Sequence, residues 1–460
     1  MQSRNPADGS IVFEQPASSP AEVTAAVDAA SEAQEQWQRT PLEERERIVR
    51  AFADYVAGHA ESLAQLITRE VGKLRADAAA EVAAVVAKAE ITIEMMRGRR
   101  GNLEHEVRGV ISQVRYRPLG VVLVLGPFNF PAHLPGGHII PALLAGNTVV
   151  FKPSELAPAV GQWITNAWTE AGLPSGVLKL IQGDGEVAKA AIDDQRIAGV
   201  FFTGGYHAGK AIHRQLAGRP EVLLALEMGG NNPIILAPPF DHDTAIQTIA
   251  TSAFISAGQR CTCARRLIAI DDPEGQAALD SLVELVGRMK PGLPLDPIDA
   301  DLGPVVTAQA ATRLLATQEA WLDAGGWARL TMTRSPRCNA LLTPGIIDMT
   351  DAKLLHDDEW FGPLLQVKRV ADFAEAINVA KATRFGLAAG LVGGTKAMFE
   401  ELRQSLAVGI LNWNLPTTGA SSRLPFGGVG HSGNHRPAGS FAVDFCNDPV
   451  ASMIQPTLSE

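Results

Sequence analysis

The sequence predicts an α/β protein with two domains, each built on a parallel sheet covered by helices on both faces. Three observations lead there. Short, fully apolar runs recur at regular intervals, each followed by a turn signal and most by a helix-like stretch, the pattern of strands buried on both sides. Gly is abundant at 43 residues while aromatics are only 6%, which suits many tight strand-to-helix turns. The 460 residues correspond to roughly three domain-sized units, or two large ones.

Taken in order, the N-terminal third is helical in pattern. Ser19-Pro20-Ala21-Glu22 reads as an N-cap, a proline in the first turn and an acidic residue. Thr40-Pro41-Leu42-Glu43 repeats that signature, and Asp77 to Met96, rich in Ala, Glu and Val, reads as another helix. Ile111 to Arg117 then alternates apolar and polar residues, as a solvent-facing or bridging strand does. Val121–Leu125, Thr148–Phe151, Val177–Ile181, Val200–Phe202 and Leu223–Leu226 form a first series of buried strands. A second series runs through Pro233–Leu236, Leu267–Ile270, Leu364–Val367, Ala388–Val392 and Val408–Leu411. Ser440–Cys446 alternates again and precedes a polar tail.

The charge balance narrows the function classes. Net charge is −10, and the nearest thing to a basic stripe, Arg97, Arg99 and Arg100, is too short to track phosphates. No basic-then-apolar leader and no run of about 18 apolar residues is visible. Four cysteines, Cys261, Cys263, Cys338 and Cys446, are not expected to form disulfides in a chain large enough to own a core. A cytoplasmic protein without nucleic-acid or membrane partners is the expectation.

Five stretches can carry chemistry. In Gly258-Gln259-Arg260-Cys261-Thr262-Cys263, glycine permits a tight loop, and Arg260 beside Cys261 should lower the thiol pKa. The alternatives are a buried structural cysteine or half a metal site, but no second pair and no histidine stands at ligand spacing. Glu227 ends an apolar strand and precedes two glycines, the edge where α/β folds keep their sites; desolvation there would make it a general base. In Pro127-Phe128-Asn129-Phe130-Pro131, two prolines stiffen the backbone around an amide donor suited to an oxyanion. Phe151-Lys152-Pro153-Ser154-Glu155 ends a strand, with a helix expected from Ser154 or Glu155, and suits ribose hydroxyls. Phe202-Thr203-Gly204-Gly205, ahead of a helix holding Gly209, is a strand, turn and helix of the kind that binds pyrophosphate on backbone N–H groups, though it is not G-x-G-x-x-G. Each alone has a bland structural reading; together they imply covalent redox chemistry on a carbonyl.

These motifs resemble the aldehyde dehydrogenase superfamily over nearly the whole chain: PFNFP, FKPSE, FTG, EMGG, GQRC, EWFGP (Glu359–Pro363) and PFGG (Pro425–Gly428), in that order. The resemblance implies that fold: a Rossmann-type NAD-binding domain (1–104 and 119–228), an α/β catalytic domain (229–438) and a bridging β-strand oligomerisation element (105–118 and 439–460). It implies Cys261 as nucleophile, Asn129 and the Cys261 N–H at the oxyanion, and Glu227 as the base that activates water on a thioester. Lys152 and Glu155 would hold the adenosine ribose, Glu359 the nicotinamide ribose, with Phe361 and Phe128 nearby and Gly204 and Gly209 under the pyrophosphate. Because a carboxylate at Glu155 accepts from ribose hydroxyls and repels a 2′-phosphate, NAD is expected over NADP.

Within the superfamily, GHIIPALLAGN, LALEMGGNNP, AGQRCTCARRL, LLTPGIIDMT and GHSGNHRP resemble the members that oxidise N-succinyl-L-glutamate 5-semialdehyde in arginine catabolism. Two substrate carboxylates want Arg and polar donors, so Arg260 is the first candidate, followed by Ser421, His431 and Arg436, with Thr418, Ser422 and His435 beside them. Another acidic semialdehyde such as succinate semialdehyde, with NAD or NADP, is the alternative; a CoA-acylating relative should lack Glu227, and a non-catalytic relative should have lost part of this set. Departures are Gly205 where Ser is common, Asn231 for Lys, Phe128 for Trp, and a chain that begins at Asn5-Pro6 without a leading strand pair. No metal is implied. The alternating strands Ile111–Arg117 and Ser440–Cys446 would pair between copies, so a homodimer or dimer of dimers is expected.

Overall fold

The computed structural model describes residues 1–296, 299–352 and 357–455. Its first sheet has five parallel strands in the order Leu178–Leu180, Thr148–Lys152, Val121–Leu125, Ile197–Gly204, Leu223–Met228. Val121–Leu125 and Thr148–Lys152 are buried at every position, as strands covered on both faces must be. The chain leaves Val121–Leu125 in one direction and returns on its other side at Ile197–Gly204. The crevice at that reversal is where open α/β sheets bind ligands, and both Asn129 and the Gly204-Gly205 turn follow the strands that border it.

The second sheet has seven strands: Trp327–Leu330, Gly345–Asp348, Leu364–Val370, Ala264–Ile270, Asn232–Ala237, Ala388–Gly393 and Ile410–Trp413. All pairs are parallel except the first. Trp327–Leu330 and Gly345–Asp348 escaped the sequence reading because they are four residues each and carry no clean period. So did the hairpin Gln2–Arg4 with Ile11–Glu14 around Asn5-Pro6, which opens the chain.

Four helices, Pro20–Arg39, Leu42–Gly58, Ala60–Val71 and Arg75–Arg99, fill the N-terminal third. Ser19 is the first N-cap: its hydroxyl accepts from the Glu22 N–H, and the Glu22 carboxylate accepts from the Ser19 N–H at 2.7 Å, a reciprocal capping box. Thr40 is not a second one. It ends the first helix, its hydroxyl donates back to the Gln36 carbonyl (3.2 Å), and Leu42–Gly58 starts without a side-chain cap. The helix expected from Ser154 begins instead at Pro158 (Pro158–Glu170), because Ser154 Oγ accepts from the Leu156 N–H in a local turn. Phe52 of the second helix stacks on Trp168 of that helix, rings 3.9 Å apart, within one apolar core that also takes the inward face of the first sheet.

The Ser440–Cys446 strand is a correction. Ala442, Val443, Phe445 and Cys446 are buried at odd and even positions alike, so the alternation marks no solvent face, and Ala442–Asp444 forms a 3₁₀ turn. The strand is Asn447–Ile454, antiparallel to Val110–Pro118, which pairs in turn with Leu103–Val107. This three-stranded sheet carries exposed Leu103, Val107, Val450, Met453 and Ile454. Residues 456–460 of the predicted polar tail lie outside the described residues. No helix among the described residues is long and apolar enough to cross a membrane, and all four cysteines are free thiols.

Candidate active site

Cys261 sits in a loop that three devices hold rigid. Ser256, Ala257 and Gly258 are consecutive left-handed residues (φ of 54°, 53° and 69°) that swing the chain out of the helix His242–Phe254. At Gly258 a side chain would run into the Gly362 carbonyl, so glycine is required twice over, by φ and by space. Arg265, fully buried, donates to the carbonyls of Gly258 (2.6 Å) and Arg260 (2.9 Å). Asn232 donates to the carbonyls of Cys261 (2.7 Å) and Cys263 (2.9 Å) while its Oδ1 accepts from the Ala388 N–H. Asn232, the second asparagine after the two glycines, therefore binds the Cys261 loop to the sheet.

Two cavities meet at this loop. The larger, about 790 Å³, runs from Glu155 past Gly204, Gly205 and Phe361 to Glu227 and Cys261. The smaller, about 280 Å³, lies on the other side of Cys261 and Glu227, between the helix Arg75–Arg99 and the Thr418–Ser422 segment. Cys261 and Glu227 line both.

Burial pushes the Cys261 thiol up to about 12, with the Glu359 and Glu227 carboxylates adding to it. This corrects the expectation that Arg260 lowers it. The Arg260 guanidinium turns away, pairing with Asp77 (3.3 Å), donating to Ser256 Oγ (3.0 Å) and lying 5.3 Å from the Phe130 ring centre. Cys263 is fully buried, its thiol directed to the Ile255 carbonyl.

Glu227 lies in Leu223–Met228, its Oε1 accepting from the Ala438 N–H at 3.0 Å. Oε2 is buried without a partner, and burial raises the carboxyl well above its ordinary range. Asn129 is buried, with Nδ2 donating to the Gln259 carbonyl at 3.1 Å, two residues before Cys261. Glu359 takes the space above Gly229, where a Cβ would overlap its carboxylate, and accepts from the Gly230 N–H; burial raises it to about 7. Phe361 meets Phe128 edge to face, 5.8 Å between centres.

At the far end of the larger cavity, Lys152 is buried and donates to the carbonyls of Gly183 (2.6 Å) and Pro153 (2.9 Å). Burial lowers its pKa, opposed by Glu155 and Asp184. Glu155 is exposed at the cavity mouth. Gly205 precedes the helix Tyr206–Gln215. A side chain at Gly209 would overlap the Met228 thioether, so this glycine lets the helix close on the strand below. Three unencumbered N–H groups at that helix start, beside a glycine turn without side chains, fit a dinucleotide's pyrophosphate.

Ser421 lines the smaller cavity with Thr418 and Ser422. His431 and Arg436 line neither cavity. Their loop is clamped on the Glu227 strand by Ser432, whose carbonyl accepts from the Met228 N–H, and by Asn434, bonded to Leu224 and Leu226. The neighbours are thereby turned outward: His431 stacks on Tyr206 (3.8 Å), and Arg436 is exposed, donating to the His435 carbonyl. The sequence reading missed Arg265, and it missed Lys88, His133 and His138, which line the smaller cavity. The signal for Lys88 was available. Asp77, Glu81 and Lys88 repeat at four and seven residues, putting three charges on one stripe of an Ala/Val-rich helix.

The family model described as "Aldehyde dehydrogenase family" matches residues 1–449. The chain is 46% identical over 458 residues to N-succinylglutamate 5-semialdehyde dehydrogenase of Salmonella agona, covering 99% of this chain and 92% of that one. A glyceraldehyde-3-phosphate dehydrogenase of Methanocaldococcus jannaschii, solved with NADP, is 26% identical with a TM-score of 0.91, covering 99% of each chain. A chain from Sinorhizobium meliloti 1021, solved with NAD, shares the fold at a TM-score of 0.94 and 24% identity, covering 100% of this chain and 95% of that one.

Proposed function

Since this chain belongs to the aldehyde dehydrogenase family, and is thus an oxidoreductase, we propose that it oxidises N-succinyl-L-glutamate 5-semialdehyde to N-succinyl-L-glutamate with NAD, in arginine catabolism. The observation that carries the reading is the meeting of two cavities at Cys261 and Glu227: one side suits a dinucleotide, the other an aldehyde. The similarity to the Salmonella enzyme supplies the substrate.

In this reading the Cys261 thiol releases its proton to solvent and the sulfur attacks the aldehyde carbon, giving a thiohemiacetal oxyanion. The second Asn129 N–H and the Cys261 backbone N–H stabilise the oxyanion, and the Gln259 carbonyl keeps the Asn129 amide aimed at the loop. When bound, NAD supplies the hydride acceptor that turns the thiohemiacetal into a thioester. Glu227, raised by burial and anchored by one oxygen only, takes a proton from water through its free Oε2 as the thioester is hydrolysed. Its presence favours hydrolysis over transfer to a thiol such as CoA.

The residues present fit the dinucleotide. Lys152 and Glu155 would hold the adenosine ribose, the Gly204-Gly205 turn with Gly209 beneath it the pyrophosphate, and Glu359 the nicotinamide ribose, with Phe361 and Phe128 beside it. A carboxylate at Glu155 favours NAD over NADP, although NADP occupies one related structure. Residues 1–104 and 119–228 would bind the cofactor, and 229–438 would carry the nucleophile. The three-stranded sheet of 103–118 and 447–454 would pair with a second copy in a homodimer or dimer of dimers. The free thiols suit the cytoplasm.

The test is NADH formation by the purified protein with N-succinyl-L-glutamate 5-semialdehyde, succinate semialdehyde and butanal. A large advantage in kcat/KM for the first is expected. Equal rates on all three would withdraw the substrate and keep the chemistry; no NADH from any would withdraw the reading.

A further inference from the structure

The smaller cavity holds a cation without a counter-ion. Lys88, on the helix Arg75–Arg99, is 4% exposed and lines the cavity, yet its ammonium has no ion pair and no hydrogen bond among the described residues. The neighbouring charges are matched. Lys73 pairs with Glu81 at 2.5 Å, and the same Glu81 carboxylate accepts from the backbone N–H groups of Ala132 and His133. Arg260 pairs with Asp77. Two imidazoles on the facing helix His133–Ala145 line the same cavity, His133 and His138, each with Nδ1 buried and unpartnered. On that helix Gly137 faces Lys88: a Cβ there would lie 3.7 Å from the lysine Cε, and the missing side chain leaves the space beside the ammonium open.

A buried ammonium without a partner is costly to keep. An unpartnered ammonium opening on a cavity points to an anionic ligand that satisfies it. We propose that Lys88 is the anchor for a carboxylate of the substrate, so that this cavity selects acidic aldehydes over neutral ones. This rests on the reading of the protein as a dehydrogenase for an acidic semialdehyde, and deepens it by assigning the residue that recognises the acid. It also transfers to Lys88 the role for which Arg260 was the first candidate. Burial lowers Lys88 to about 8 and each imidazole to about 3. The two histidines therefore bring no charge of their own, and the lysine brings the cavity's one positive charge without a counter-ion.

The experiment measures kcat/KM with N-succinyl-L-glutamate 5-semialdehyde and with butanal, for the wild type, Lys88→Met and Lys88→Arg. In Lys88→Met the ratio of the two should fall roughly 10- to 100-fold, the range for losing a charge-assisted hydrogen bond, with the loss in KM for the acid. Lys88→Arg should keep most of the preference. An equal loss on both aldehydes means packing and overturns the assignment, as does an unchanged ratio. Should Lys88→Met fail to fold, Gly137→Leu, which fills the space beside the ammonium, must lower the same ratio; if it does not, the assignment falls. A wild type with no preference for the acid overturns the acidic-substrate reading itself, and a wild-type preference that survives Lys88→Met overturns Lys88 alone.

Discussion

At the scale of single residues, the site is a set of groups whose ordinary acidities burial has altered. Cys261 is not an activated thiolate waiting for substrate: desolvation and two carboxylates hold its proton on. Acyl-enzyme formation should therefore quicken as pH rises. Cys261 loses its proton more readily toward alkaline pH, whereas Glu227, raised above the usual carboxylate range, bears on the later hydrolysis step and not on the burst. The burst rate of NADH formation, measured by stopped flow from pH 6 to 10, should rise across that span; a flat profile would contradict this. Cys261→Ser should cost about 10³-fold or more in kcat, as removal of a nucleophile does, whereas Cys263→Ser should keep most of the activity because that thiol lies off both cavities. Steady-state rates of the two variants decide between them. Cys261, Glu227 and Asn129, to which the proposed roles of nucleophile, base and amide donor fall, stood out in the sequence because each is part of a short motif. The thiol's raised pKa did not, since it comes from burial and from carboxylates distant in sequence, Glu359 and Glu227, while Asp77, 183 residues from Arg260, takes the guanidinium that was expected to oppose it.

At the scale of elements, strand ends and the glycines beneath them do the positioning. Gly209 is needed where the helix Tyr206–Gln215 closes on Leu223–Met228. Gly209→Val should push the helix off the strand, raise KM for NAD and cost about 1–3 kcal/mol of stability; cofactor titration and thermal melting read the two effects. Most strands of both sheets were legible because burial leaves unbroken apolar runs, but Trp327–Leu330 and Gly345–Asp348, four residues each, were too short to stand out. The helix after Ser154 and the strand at Ser440–Cys446 were not legible. In one a serine hydroxyl diverted the local hydrogen bonding, and in the other alternation arose in a segment buried at odd and even positions alike, where a period of two carries no information about exposure.

At the scale of the whole molecule, the three-stranded sheet of Leu103–Val107, Val110–Pro118 and Asn447–Ile454 presents apolar side chains to solvent in a chain whose other apolar residues are mostly buried. Met453 is 74% exposed and Val107 65%. A second copy covering them is the proposed state, and Met453→Asp combined with Val107→Asp should reduce the mass found by light scattering after gel filtration. A unit mass identical to the wild type's would remove this sheet from the interface. What holds the molecule's function together is the junction of the two cavities at Cys261 and Glu227. The most direct measurement is intact-mass and peptide analysis of Glu227→Gln mixed with NAD and N-succinyl-L-glutamate 5-semialdehyde. A burst of one NADH per subunit and an acyl group on the peptide bearing Cys261, released slowly, are expected. An adduct on Cys263, or steady turnover at the wild-type rate without a trapped acyl group, would contradict it.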